Sequence, residues 1–274
     1  MPRIALYQAQ SGIDPVVNAD ALVAAVMAAG AGGAAMLFTP EMSGLLDSNR
    51  ERAAAKIARE ENDSVLARVR EAASKAGLWV HLGSLAVQAG DGRLANRSFV
   101  IGPTGEILGR YDKIHLFDVD LPTGERWRES AAYRPGEQVT LVPGTPVGTL
   151  GLTICYDLRF PALFARLAEA GAETIAVPAA FTVPTGKAHW HILLRARAIE
   201  AGLFVVAAAQ TGHHEDGRRT FGHSLMVDPW GDVLLDMGEG EAPRLAFADV
   251  DLARIAEVRG RIPTIAHRRP IPTI

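Results

Sequence analysis

Residues 147–180, VGTLGLTICYDLRFPALFARLAEAGAETIAVPAA, carry the only cysteine of the 274-residue chain and decide its fold class. VGTLGLTIC is an apolar run that predicts a strand. FPALFARLAEAGA repeats apolar residues at helical spacing, and TIAVPAA returns to a strand. Neither run alternates with polar residues, so both faces of such strands must be covered, as in a parallel sheet flanked by helices. The stretch predicts a βαβ unit, and the class is α/β.

The same order extends in both directions. RIALYQ at 3–8 predicts a strand, Asp14 to Ala29 a helix, and AAMLF at 34–38 a strand. From Ser64, SVLARVREAASKAG places Val65, Leu66, Val69, Ala72, Ala73 and Ala76 on one helical face, and the strand LWVHLGSLAV follows. Beyond the central unit, HWHILLRARAIEAG predicts a helix and LFVVAAA a strand. SFVIGPTGEIL from Ser98 is echoed by SLMVDPWGDVL from Ser224, each with Pro and Gly placed to turn a hairpin. The echo suggests two similar α/β halves.

Composition narrows the classes of function. Hydrophobic residues make up 48% of the chain and charged residues 22%, with no linker-like segment, so a single domain over 1–274 is expected. A chain of this length buries about three quarters of its unfolded surface. The net charge of −3, with both signs scattered, argues against nucleic acid or an anionic membrane as partner. Residues 21–38, ALVAAVMAAGAGGAAMLF, form an uncharged run of eighteen, long enough to suggest a membrane span, but Gly30, Gly32 and Gly33 divide it into helix, turn and strand. A lone cysteine cannot close an internal disulfide, and MPRIALYQAQ turns polar too soon for a secretory signal, so a cytoplasmic protein is expected.

Cys155 falls at a strand end just before a helix, where α/β sheets border their ligand crevices. It reads either as a small core residue or as a nucleophile. An unassisted thiol, with a pKa of about 8.5, is only slightly ionised at neutral pH, so a nucleophile here needs a base. Glu41, after the strand ending at Phe38, reads as that base, its pKa raised by apolar surroundings, or as a solvated loop acid. Lys113, after the strand from Ile107, reads as a fixed positive charge for an oxyanion or as a snorkelling surface lysine.

TPEM at 39–42, RYDKIHLFD at 110–118 and CYDLRFP at 155–161 resemble the three signature segments of the nitrilase, or carbon–nitrogen hydrolase, superfamily. AFTVPTGKAHW, LLRARAIE, AAAQTG, FGHS and DPWG continue the likeness in order, so it covers essentially the whole chain. The resemblance implies a four-layer α-β-β-α sandwich and a homodimer or higher homo-oligomer. It assigns Glu41, Lys113 and Cys155 as the catalytic glutamate, lysine and cysteine, and Glu129 in RWRES as a second, positioning glutamate, beside Lys113 or the substrate, that helps to raise the pKa of Glu41; an exposed loop charge is the other reading of Glu129. It implies amide hydrolysis through a thioester, with Lys113 and the backbone N–H of Tyr156 on the oxyanion, and neither metal nor organic cofactor.

The segment CYDLRF is similar to the Nit amidases rather than to nitrilases, which tend to read Cys-Trp-Glu after the same start. That subfamily acts on deaminated glutathione or, as ω-amidase, on α-keto acid amides. Both substrates carry an acid group beyond the amide, which makes Arg159 the expected grip on the anion, with a structural salt bridge as its other reading. AAAQTGHHEDGRRTFGHS from Ala207 is similar to the deaminated glutathione group, and that resemblance favours deaminated glutathione as substrate. An N-carbamoyl amide or nitrile hydrolase, and a non-enzymatic scaffold, complete the alternatives. The chain departs from its relatives at His191 and Ala201, where Glu and Asn are usual, and in its ending RRPIPTI; these bear on substrate fit and dimer contacts. His213, His214, Glu215 and Asp216 lack metal-ligand spacing and predict a solvated loop.

Overall fold

The computed structural model describes residues 1–120, 124 and 126–272. Its first half runs β1 (Arg3–Gln8), α1 (Pro15–Ala31), β2 (Met36–Phe38), α2 (Arg50–Ala54), α3 (Ser64–Ala76), β3 (Trp79–Gln88), β4 (Leu94–Ile101) and β5 (Ile107–Asp112). A small hairpin, β6 (Asp118–Asp120) and β7 (Arg126–Arg128), leads to β8 (Leu141–Thr145), β9 (Gly148–Leu152), α4 (Pro161–Glu169), β10 (Thr174–Ala176), α5 (Val183–Ala201) and β11 (Phe204–Ala207). A second small pair, β12 (Thr211–His213) and β13 (Arg219–Phe221), precedes β14 (Leu225–Val227), β15 (Val233–Asp236), β16 (Arg244–Asp249) and α6 (Ala253–Arg261).

Two six-stranded sheets result, ordered β16-β1-β2-β3-β4-β5 and β15-β14-β11-β10-β9-β8. In each, three parallel strands sit between one antiparallel neighbour and an antiparallel hairpin. The echoed segments are those two hairpins. Their turns make the same contacts: Gly102 N–H donates to Glu106 O and Asp228 N–H to Asp232 O, both at 2.9 Å. Gly105 and Gly231 take φ of +85° and +95° in the matching place, a conformation open to glycine. The halves are also interlocked, because β16 lies in the C-terminal half and pairs with β1 along Arg3–Gln8.

Alternation along the strands builds the layers. Ala5, Leu37, Val80, Leu82 and Phe99 pack under α1 and α3, whereas Ile4, Leu6, Met36, Phe38 and Val100 face the second sheet. There Leu150 and Leu152 lie opposite Gly151, which receives Leu167 of α4. α4 and α5 close the outer side with Phe164, Leu167, Trp190 and Leu194. The fold is the α-β-β-α sandwich expected. α1 begins at the cap of Asp14, whose carboxylate accepts from Val16 N–H, and α3 ends on Gly77 in the left-handed conformation, which explains why both were legible.

Two boundaries differ from expectation. α5 starts at Val183 rather than near His189, because Pro184 serves the first helical turn instead of breaking the chain. β9 ends at Leu152, and Cys155 opens a short 3₁₀ turn over Cys155–Arg159. No helix among the described residues is long and apolar enough to cross a membrane.

β3 carries the irregularity that shapes one crevice wall. Its register with β4 shifts between Leu82 and Leu85, and a Cβ on Gly83 would stand 2.1 Å from Thr39 O and 2.3 Å from Pro40 O. Only a glycine lets the segment leaving β2 cross so close. Gly83→Ala should therefore displace main chain, costing about 1–3 kcal/mol in urea unfolding and most of the activity. Unchanged stability would show that the crossing has slack.

Candidate active site

The ends of β2, β5 and β9 meet at the seam between the sheets. Glu41 is held there by the crossing over Gly83: Thr39 Oγ1 accepts from Gly83 N–H at 3.0 Å, and Met42 N–H donates to Ser84 Oγ at 2.9 Å. Gln210 braces it from the other sheet, donating through Nε2 to Glu41 O at 2.9 Å. Lys113 follows β5, its N–H donating to Asn96 O at 2.9 Å. Glu129 follows the small hairpin, and its Oε2 accepts Phe117 N–H at 2.7 Å.

Lys113 is 2% exposed and lies between two carboxylates, its Nζ 2.9 Å from Glu41 Oε1 and 2.9 Å from Glu129 Oε2. The reading of a snorkelling surface lysine is excluded by this burial. Asn96 doubles the bridge through Nδ2, at 2.9 Å to Glu41 and 3.1 Å to Glu129. Ala180 N–H donates to the remaining Glu41 oxygen at 3.0 Å.

Cys155 is 8% exposed, and its thiol and the Glu41 carboxylate are near enough for each to shift the other's ionisation. Its φ is +49°, a conformation rare for a residue with a side chain, fixed by Cys155 N–H donating to Pro178 O at 2.9 Å. Asp157 secures the turn. Wholly buried, its carboxylate accepts from Ile154 N–H (2.9 Å), Tyr111 Oη (2.8 Å), His115 N–H (3.0 Å) and His115 Nδ1 (2.7 Å). One carboxylate thus joins the cysteine turn to the strand end bearing Lys113.

Electrostatics set the resting protons. Burial alone would raise the Glu41 carboxyl, but the Lys113 ammonium and hydrogen bonds from Lys113, Cys155 and Asn96 outweigh it and hold the group below its ordinary value. The expected upward shift is therefore corrected: the sequence places Glu41 beside apolar residues but does not reveal the cation against it. Burial would lower Lys113, yet Glu129, Glu41 and Cys155 hold it well above the usual lysine value. Burial and then the Glu41 carboxylate push the Cys155 thiol up, against the pull of Lys113. The resting cluster is a thiol, a carboxylate and an ammonium.

Arg159 ends the cysteine turn. Its guanidinium carbon lies 5.9 Å from the Tyr156 ring centre and 5.6 Å from that of Phe181, and its NH groups stand 3.2 and 3.3 Å from His189 Nδ1. No carboxylate among the described residues pairs with it. Tyr156 and Phe117 meet edge to face at 5.1 Å beside the cysteine turn. His191 does not join this cluster; its Nε2 is 2.9 Å from Asp236 Oδ2. The histidine-rich loop is not wholly solvated: His214 is buried between Ser11 O and Thr220 Oγ1, while His213 turns to Glu241, so the adjacent rings diverge.

Relatives add to this geometry. A model of the family described as carbon-nitrogen hydrolase matches residues 3–260. The chain belongs to the carbon–nitrogen hydrolase family. It is an amide-hydrolysing enzyme of that family. The deaminated glutathione amidase of Yersinia enterocolitica is 42% identical over 249 residues, covering 88% of this chain and 84% of its own. Its counterpart in Homo sapiens is 36% identical over 274 residues, covering 98% and 83%. Among solved structures, the C. elegans NitFhit protein superposes with a TM-score of 0.87 at 37% identity; the enzyme covers 98% of itself but 65% of that longer chain. An amidase from Nesterenkonia sp. AN1 gives 0.82 at 28% identity over 98% and 94%, in a form with the acetamide moiety of fluoroacetamide added covalently at the active site cysteine.

Sequence reasoning missed Asn96, Asp157 and the Ala180 N–H. Asp157 was within a quoted motif, but nothing local marks it as a four-donor acceptor. The charge pattern makes one titration informative. With Lys113 retained, Glu41→Gln removes the carboxylate that pushes the thiol up, so the Cys155 thiolate should appear at lower pH, read as absorbance at 240 nm against Cys155→Ala. A shift to higher pH would mean that Glu41 does not face the sulfur.

Proposed function

We propose that the enzyme hydrolyses a small carboxylate-bearing amide to acid and ammonia, with deaminated glutathione the first candidate substrate. The observation that carries the reading is the buried contact of Lys113 with Glu41 beside the Cys155 thiol. Relatives named deaminated glutathione amidase favour the substrate. The Arg159 guanidinium supplies the grip for the acid group, fork to carboxylate.

In this mechanism Glu41 takes the thiol proton as Cys155 Sγ bonds to the amide carbon. A thiol alone ionises too little, and a carboxylate alone is too weak a base for it in water. Bond formation neutralises the developing thiolate, so the transfer is completed by the attack. The carbonyl oxygen becomes negative near Lys113 Nζ and the Tyr156 N–H. As the tetrahedral centre collapses, the C–N bond breaks and the amine leaves as ammonia with the proton from Glu41. Water then attacks the thioester, giving its proton to Glu41, and the acid departs as the thiol is restored. Glu129 and Asn96 position Lys113 and Glu41 throughout. No step calls for a metal or organic cofactor.

Ammonia release from deaminated glutathione, α-ketoglutaramate, an N-carbamoyl amino acid and a simple nitrile should be greatest with the first and absent in Cys155→Ala. Preference for another amide would retain the chemistry and replace the substrate. Lys113→Ala should lower kcat about 100-fold or more. Arg159→Ala should instead raise KM roughly tenfold with little change in kcat. Equal effects of the two variants on kcat would remove Arg159 from substrate binding.

We also propose one unit over residues 1–274, a homodimer, placed in the cytoplasm where the unpaired thiol stays reduced. Ile192 and Ile199 are exposed seven residues apart on α5, beside exposed Trp230, Val233 and Leu234 of the β14–β15 hairpin. Arg195 Nε donates to Gly231 O at 2.7 Å and so ties helix to turn. This apolar area, ending on edge strand β15, suits a second copy. Light scattering should give twice the chain mass, and Ile199→Glu with Leu234→Glu should give the monomer. A monomeric unsubstituted protein would overturn the dimer. Of the unusual ending RRPIPTI, residues 273 and 274 lie outside the described residues; Arg268 pairs with Glu169 at 2.8 Å.

A further inference from the structure

His191 stands apart from the Cys155 centre, and its surroundings give it a chemical sense of its own. It lies on α5, His223 between β13 and β14, and Asp236 at the end of β15. His191 Nε2 is 2.9 Å from Asp236 Oδ2, and His223 Nδ1 is 2.9 and 3.1 Å from the two carboxylate oxygens. One donor atom from each of the three side chains lies within 4.8 Å of the others. We propose that His191, His223 and Asp236 form a binding site for a divalent transition-metal ion of borderline softness, with Zn²⁺ the best fit, separate from the Cys155 centre.

Two imidazoles and a carboxylate are the donors such an ion selects over Mg²⁺ or Ca²⁺. Direction matters as much as type. Since an ionised carboxylate only accepts hydrogen bonds, both rings aim a nitrogen at Asp236. Moving each ring proton to its far nitrogen leaves two lone pairs converging on the same place. Donors of a tetrahedral Zn²⁺ site, each about 2.1 Å from the ion, stand about 3.4 Å apart, so the two nitrogen–carboxylate contacts need to open by only a few tenths of an ångström, while the two ring nitrogens, within 4.8 Å of each other, settle at the same spacing.

The donors are also held in advance. His223 has φ of +54°, its carbonyl accepts from Trp190 Nε1 at 2.8 Å, and its ring stacks on Phe221 at 4.4 Å. Asp236 Oδ1 accepts from Gly238 N–H at 2.8 Å. The rings remain partly accessible, with His191 at 35% and His223 at 19% side-chain exposure, so an ion can enter and water can complete its shell. The ion would tie α5 to the second hairpin, and α5 leads back through Phe181 to the Ala180 N–H on Glu41.

The test uses the full chain with Cys155→Ala, which removes the competing thiol. Titration with Zn²⁺ should show one ion per chain, and Co²⁺ should give the visible bands of a four- or five-coordinate site. Saturating Zn²⁺ should raise the melting temperature by roughly 5 °C at 100 times Kd. His191→Gln and Asp236→Asn, checked for folding by circular dichroism, should each weaken binding roughly 100-fold, and His213→Gln should not. Absence of one-to-one binding, or binding indifferent to both substitutions, would overturn the site and leave a hydrogen-bonded triad.

Discussion

Lys113 is a full positive charge almost out of reach of water, and the site depends on the two carboxylates that make its burial possible. An unpaired ammonium in such a place would shed its proton, because burial penalises the charged form. Glu41 and Glu129 reverse that, and Asn96 joins them from the other side. Burial first, and then the negative charge of Glu41, keep the sulfur a thiol against the pull of Lys113, which is why the proposed base works in concert with attack.

This arrangement requires two sheets. Glu41 and Lys113 come from strand ends of one, Cys155 from a strand end of the other, and the apolar side chains between the sheets hold the ends together. Strain at Cys155 φ, the close crossing over Gly83 and the four hydrogen bonds on Asp157 gather at the seam. Packing elsewhere supports them. The like halves also explain the repeated hairpins: each closes the antiparallel edge of its own sheet with the same turn.

Away from the cysteine centre, His191 belongs to a different part of the molecule. It turns to the second hairpin and shares a carboxylate with His223. Its neighbour but one, His189, meets Arg159 of the cysteine turn. Two positions on one helix thus serve separate environments.

Most of the architecture was legible because local and global signals agree: α1 and α3 carry their own caps, buried strands are apolar on both faces, and the hairpins carry their own turn residues. Glu41, Lys113 and Cys155 were legible as chemistry at strand ends, and the family motifs joined them with Glu129. The direction of the Glu41 shift was not, nor were Asn96, Asp157 or the His191 cluster. Each depends on which side chains are brought within about 3 Å across the fold, and electrostatic effects change steeply with that distance and with water's exclusion. Residue type and strand periodicity are properties of the chain itself, and they determined the α/β class and the stock of reactive groups. The protonation of those groups, and which carboxylate faces which cation, were decided only when tertiary packing removed the water between them.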